Sequence, residues 1–207
     1  MDQELDTPQI ISEKKAEMPD KILLAALSLF AKKGYFTTSL SDISQAANLT
    51  SISELYQHYP DKHAIAHTLY EHIFNNLNVS IEDIKRRTDK PSEQLRSIVD
   101  LLFKLADDAP HIVNFLLIAK TNEFLPEQKA LLDSPAFTKI YKIFQHGIKT
   151  GEIRNIDPML AMAYFFGIIS NTLNLIVTGK LDKKADAYLA QTWLAAWNLI
   201  EKKSSCF

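Results

Sequence analysis

His63, His67 and Glu71 recur at i, i+4 and i+8, a spacing that lines two imidazoles and a carboxylate along one helix face, as in half of a transition-metal site. Ile65, Leu69, Ile73 and Leu77 claim the opposite stripe, so the three polar groups read as a solvated face and no metal is expected. His58, His72 and His111 stand without such company. The chain carries no Gly-rich phosphate loop, Gly-x-Ser-x-Gly elbow, His-Glu-x-x-His pair or cysteine cluster. With no recognisable nucleophile, acid or base arrangement, neither an enzyme nor a cofactor is expected. Asp107-Asp108 reads as a loop cap, and Lys85-Arg86-Arg87 as a solvated helix end that would supply cations if it lay near DNA.

The remaining chemistry is recognition, between Ser39 and Lys62. Ser39-x-x-Asp42 opens a first short helix as a capping-box variant, and Ser51-x-x-Glu54 opens a second in the same way. Asn48 lies between them, where the chain must reverse and a residue at positive φ is needed. Pro60 closes the second helix and Asp61 caps a long third one. These are the signals of a helix-turn-helix. Upstream, Ile22, Leu23, Ala26, Leu27, Leu29 and Phe30 recur at helical spacing, with Pro19 and Asp20 at the start and Gly34 at the C-terminal cap.

The run Ile22 to Tyr35, then Thr37-Thr38, Asp42-Ile43, Ala46-Ala47 and Leu55-Tyr56-x-His58-Tyr59-Pro60-Asp61-Lys62, resembles the N-terminal domain of the TetR family of transcriptional regulators, over residues 19 to 75 or so. The resemblance implies a homodimeric repressor whose heads enter successive major grooves of a palindromic operator and which a small molecule releases. Ile52, Ser53, Tyr56 and Gln57 would face base edges or backbone, Ile52 suiting a thymine methyl and Ser53 either partner. Carried over by motif position, Thr37, Thr38, His58, Tyr59 and Lys62 would hold phosphates, and Ser51 would be the N-cap of the recognition helix. Glu54 either completes the Ser51 capping box or accepts from a cytosine amine. Between Asp42 and Tyr56 the chain is one residue longer than the family pattern, the extra residue falling in Asn48-Leu49-Thr50. Residues 19 to 66 also balance Asp20, Asp42, Glu54 and Asp61 against Lys21, Lys32, Lys33 and Lys62, leaving no net charge to draw DNA. That neutrality keeps open an alternative, a TetR-like small-molecule-binding or protein-interaction module with weak or no specific DNA binding.

The elements carrying these residues are all helical. With 46% hydrophobic residues over 207 positions the chain can bury a substantial core, and its five glycines and absence of strand-type alternation predict an all-α fold. A net charge of −2 provides no global pull toward nucleic acid or anionic membrane. The lone Cys206 fits a reducing cytoplasm. The longest apolar run, Met159 to Ile169, is too short to span a bilayer, and no membrane partner is expected. The expected organisation is a flexible arm over 1–18, a helix-turn-helix DNA-binding domain over 19–66, a helical ligand-binding and dimerisation domain over 67–203 and a tail over 204–207. Beyond the head, helices are expected at 61–87, 92–107, 110–124, 135–150, 158–178 and 184–203, broken by Pro91, Pro110, Pro126, Pro135, Gly151, Pro158 and Gly179.

The last two of these helices are apolar around more than one stripe. Ala163 and Gly167 would permit close approach, and with Trp193 and Trp197 they are the candidate dimer interface, in a four-helix bundle with a second copy; the alternative is a hairpin buried within one subunit. Phe103, Phe115, Tyr141, Phe144 and Tyr164 are the candidate pocket residues, although aromatic spacing on helices is equally how cores are built. The resemblance, not the spacing, implies a small apolar or amphipathic inducer among them.

Overall fold

The computed structural model describes residues 18–117, 121–127 and 134–203, and among them the fold is all-α. The helices are α1 (Met18–Lys33), α2 (Leu40–Ala46), α3 (Ile52–Tyr56), α4 (Lys62–Arg87), α5 (Pro91–Asp108), α6 (Pro110–Leu117), α7 (Thr121–Phe124), α8 (Pro135–Thr150), α9 (Pro158–Val177) and α10 (Asp186–Ile200). All but residue 18 of the expected N-terminal arm, and the whole expected C-terminal tail with Cys206, lie outside the described residues. Of the helix expected over 110–124, the described residues 110–117 and 121–124 are helical, as α6 and α7, and 118–120 lie outside the described residues.

The described residues divide into two compact units. The first runs to Ser80 and also takes in the segment 121–127; the second runs from Ile81 through α6 and again from residue 134 to 203. In the first, α1 packs on α2 and α2 on α3. Its core holds Ile22, Leu23, Ala26 and Leu27 of α1, Ile43 of α2, Leu55 of α3 and Ile65, Ala66 and Leu69 of α4. Local signals set the helix ends. Ser39 Oγ accepts from the Asp42 amide at 3.0 Å while Asp42 accepts from the Ser39 amide at 2.9 Å, so the reciprocal cap of α2 is complete. Gly34, at φ 85°, ends α1.

In the second unit, α5 packs against α6, α8, α9 and α10, and α9 against α6, α8 and α10. Pro91, Pro135 and Pro158 each occupy the first turn of a helix, where the missing amide costs nothing. Asp157 caps α9 by accepting from the amides of Met159 and Leu160. The N-terminus of α10 has no side-chain cap from its own N-cap residue, Ala185. Asp107, at the end of α5, supplies one across the fold by accepting from the amides of Ala185 at 2.7 Å and Asp186 at 3.3 Å. An isolated antiparallel bridge between Ile153 and Glu201 ties the end of α10 to the α8–α9 connection.

Helix α9 is an apolar run continued past Ile169 to twenty residues, which by length and composition is enough to cross a membrane. The run Met159 to Ile169 alone is too short, and the whole helix reaches that length because it continues past Ser170, whose Oγ donates to the Phe166 carbonyl.

Candidate nucleic-acid interface

The α2–α3 unit carries the residues expected to face DNA, and most of them are exposed. Leu55, fully buried, anchors the five-residue α3 to the core. Ile52, at 40% exposure, and Tyr56, at 51%, face solvent beside the exposed Ser53 and Gln57. Ile52 and Tyr56 thus present apolar surface on the outward side of the same short helix. Ser51 and His58 are exposed at its two ends.

The longer turn is accommodated without breaking the unit. Asn48 takes φ 55°, the one non-glycine positive φ among the described residues, and the Leu49 amide donates to Ser44 O at 3.0 Å. The second capping box does not form. Ser51 is the N-cap, but its side chain makes no cap hydrogen bond. Glu54 reaches one residue further back, accepting from the Thr50 amide at 2.9 Å and from the Thr50 hydroxyl at 3.0 Å. Thr50 thereby takes the place of the expected Ser51 partner. These two bonds, the amide first, hold the Glu54 carboxyl below its usual value, as the Ser39 amide and then the Ser39 hydroxyl do for Asp42. Both bonds fall on Glu54 Oε2, which leaves Oε1 able to accept from a further donor.

The expected phosphate-holding residues divide. Thr37 and His58 are exposed, and the Thr37 hydroxyl donates to Lys33 O. Thr38 is buried to 1% exposure with its hydroxyl donating to Gly34 O at 2.8 Å, and Tyr59 is buried as well. Neither presents a face to a phosphate. Lys62 is a correction too. Its Nζ donates at 2.8 Å to both Tyr35 O and Thr38 O and sits 4.3 Å from the centre of the Tyr35 ring. Desolvation pushes its pKa down. It therefore fixes the α1–α2 connection to the start of α4. Tyr35 in turn stacks on Phe124 at 4.4 Å, and His63 pairs with Glu127 at 2.9 Å, so the segment 121–127 is fastened to the head by contacts that no local pattern announces. Of the head's other lysines, Lys33 lies 3.5 Å from Asp42, while Lys21 and Lys32 are exposed.

No group of three side chains suited to hold a metal occurs among the described residues, and His63 is engaged with Glu127 rather than with His67 and Glu71.

In the second unit, Phe103, Phe115 and Phe144 are all but fully buried, with Phe144 packed against Phe165 and Phe166. Tyr141 is half-buried on α8. Tyr164 is 40% exposed and lies on the outer face of α9, so it is not gathered with them. That face also carries Leu160, Ala163, Gly167 and Leu175, and α10 exposes Leu194 at 56%. A Cβ at Gly167 would meet nothing within 4 Å. Trp193 and Trp197 are half-buried, stacked on each other at 5.4 Å, with Trp193 edge-on to Phe165 and beneath the Arg96 guanidinium. They flank the outward stripe of α10 instead of occupying its middle.

Comparison with known proteins places these features in context. Residues 22–69 match the family pattern described as bacterial regulatory proteins, tetR family. The chain is 35% identical over 91 residues to IcaR of Staphylococcus epidermidis, the negative transcriptional regulator of the biofilm operon icaADBC; the match covers 44% of this chain and 46% of that one, about half its length. It is 26% identical to the HTH-type transcriptional regulator YfiR of Bacillus subtilis, over 81% of this chain and 85% of that one. In fold it is similar to the fatty acid degradation regulator FadR of Bacillus halodurans, with TM-score 0.74 and 18% identity over 89% of this chain and 97% of that one. FadR of Bacillus subtilis in complex with stearoyl-CoA has TM-score 0.70 at 19% identity, over 85% and 96% of the two chains.

Proposed function

Since this chain belongs to the tetR family of bacterial regulatory proteins, we propose that it is a cytoplasmic transcriptional repressor that binds a palindromic operator as a homodimer and is released by a small amphipathic molecule. The observation that carries this reading is the outward display of Ile52, Ser53, Tyr56 and Gln57 on a helix anchored by the buried Leu55. Those four read bases or backbone in the major groove, and Thr37, Ser51 and His58 surround them. Residues 19–66 act as the reading head and 67–203 as the ligand-binding and dimerising part.

The buried phenylalanines Phe103, Phe115 and Phe144, with Tyr141 beside them, are the inducer contacts, and a pocket opens among them when the ligand enters. The fold neighbour holding stearoyl-CoA favours an acyl or comparably amphipathic ligand. The exposed stripe of Leu160, Ala163, Gly167, Leu175 and Leu194 is the dimer face, with Trp193 and Trp197 at its edge. A second copy suits this face better than lipid, because the exposed Asn171 interrupts it and its small residues favour a closely approaching helix.

The second reading, a binding module without specific DNA affinity, rests on the head's charge: two of its four lysines are engaged within the head. Selection of genomic fragments on the purified protein separates the two. A recovered palindrome whose preference falls in Ile52→Ala and Ser53→Ala, by about 1–3 kcal/mol per lost base contact, supports the repressor. Retention of no common sequence at low salt overturns it.

A further inference from the structure

An open groove of about 530 Å³ lies in the second unit, lined by Arg87, Thr88, Ser92, Glu93, Arg96, Ser97 and Trp193. It is separate from the buried phenylalanines assigned to the inducer. Its polar groups are fixed before any ligand arrives. Arg96 donates through Nε to Asp100 at 2.8 Å and holds its guanidinium 5.4 Å from the centre of a Trp193 ring. Arg87 is held by Asp83 at 2.6 Å. Glu93 is satisfied by the Thr88 hydroxyl at 2.8 Å and by Lys90 at 3.3 Å. Among the described residues, Arg96 Nη1 and Nη2 and the Ser92 hydroxyl make no hydrogen bond.

A guanidinium whose orientation is already set, with its two terminal nitrogens open, matches a two-oxygen anion in a bidentate pair. Arg87, Arg96 and Lys90 stand against Asp83, Glu93 and Asp100 with no net charge, so a single-charged anion meeting the open Arg96 nitrogens is favoured over a dianion beside the Glu93 carboxylate. The Arg96 guanidinium carbon lies 5.4 Å from the centre of a Trp193 ring, which itself stacks on Trp197, so an anion held by Arg96 has an indole beside it. We propose that this groove is a second small-molecule site that takes a flat aromatic carboxylate, its oxygens on Arg96 with Arg87 adjacent and its ring against Trp193.

The two tryptophans of the chain provide the test. In full-length protein labelled with ¹⁵N at the indoles, titration with 1-naphthoate shifts the Trp193 resonance, assigned through Trp197→Phe, and saturates with a Kd of about 1 mM or tighter. 1-Naphthamide, with the ring and no charge, and acetate, with the charge and no ring, leave it in place. Arg96→Gln weakens binding roughly tenfold or more, as loss of a bidentate charged pair requires. Arg87→Gln, which leaves Asp100 paired, weakens it less and still decides the question if Arg96→Gln fails to fold. The site is overturned if 1-naphthoate gives no saturable shift, if 1-naphthamide matches it, or if both arginine variants bind as wild type. A shift lost in Phe144→Ala and kept in Arg96→Gln would place the compound among the inducer contacts and likewise overturn the groove.

Discussion

A lysine at the position of Lys62 invites assignment to a phosphate, yet its ammonium directs two donors to the carbonyls of Tyr35 and Thr38 and lies over the Tyr35 ring. A phosphate-neutralising lysine and an internal support differ in how they couple to salt. Removing the first flattens the dependence of log K on log salt by about one unit, whereas removing the second leaves the slope and lowers head stability. Lys62→Met is expected to melt at lower temperature and to bind operator less well, with the salt slope of the wild type; a slope flatter by about one unit would return Lys62 to the DNA. The reason this was not legible in the sequence is distance along the chain. The accepting carbonyls lie 27 and 24 residues away, and backbone acceptors leave no mark in residue identity. The burial of Thr38 is hidden from the sequence for a related cause, since Thr37 and Thr38 are alike in type and only the fold decides which hydroxyl turns inward.

Among the elements, the helix ends were the most legible feature, because a cap is an interaction between residues two to four apart. The Ser39–Asp42 box, the positive φ of Asn48, Gly34 at the end of α1 and the prolines opening α5, α8 and α9 all follow from local chemistry. The Ser51 box does not form because Glu54 turns to the amide and hydroxyl of Thr50, one residue further back. Both cap carboxyls titrate below their usual 3.8 and 4.5. A carboxyl lowered in the folded state stabilises above its unfolded pKa and ceases to do so as pH falls through its folded one. Thermal melts of an Asp42→Asn, Glu54→Gln double variant are therefore expected below wild type at neutral pH, with the gap closing as the pH drops beneath the ordinary carboxylate range. A gap that is unchanged in acid would mean the caps contribute through shape and not charge.

At the scale of the whole molecule, the apolar excess of α9 and α10 was legible while its phase was not. A helix that is apolar nearly all round carries no periodicity to say which side chains turn outward, and so Tyr164 was grouped with buried residues. The structure resolves the phase and sharpens the dimer test. A Cβ at position 167 meets nothing within 4 Å and the position is exposed, so Gly167→Glu is expected to keep the helix content and melting behaviour of an intact subunit while sedimenting as a monomer. A dimer of wild-type mass in that variant would move the interface off this face.

The carboxylate of Asp107 gives that face a history as well as a shape. Ala185 and Asp186 depend for their cap on a residue 78 and 79 positions earlier, at the far end of α5. Helix α10 thus lacks this cap until α5 is in place, and the face proposed to meet a second copy depends on that long-range contact. Assembly would then select for chains that have finished folding, since a subunit with α5 unformed presents its partner with a frayed edge.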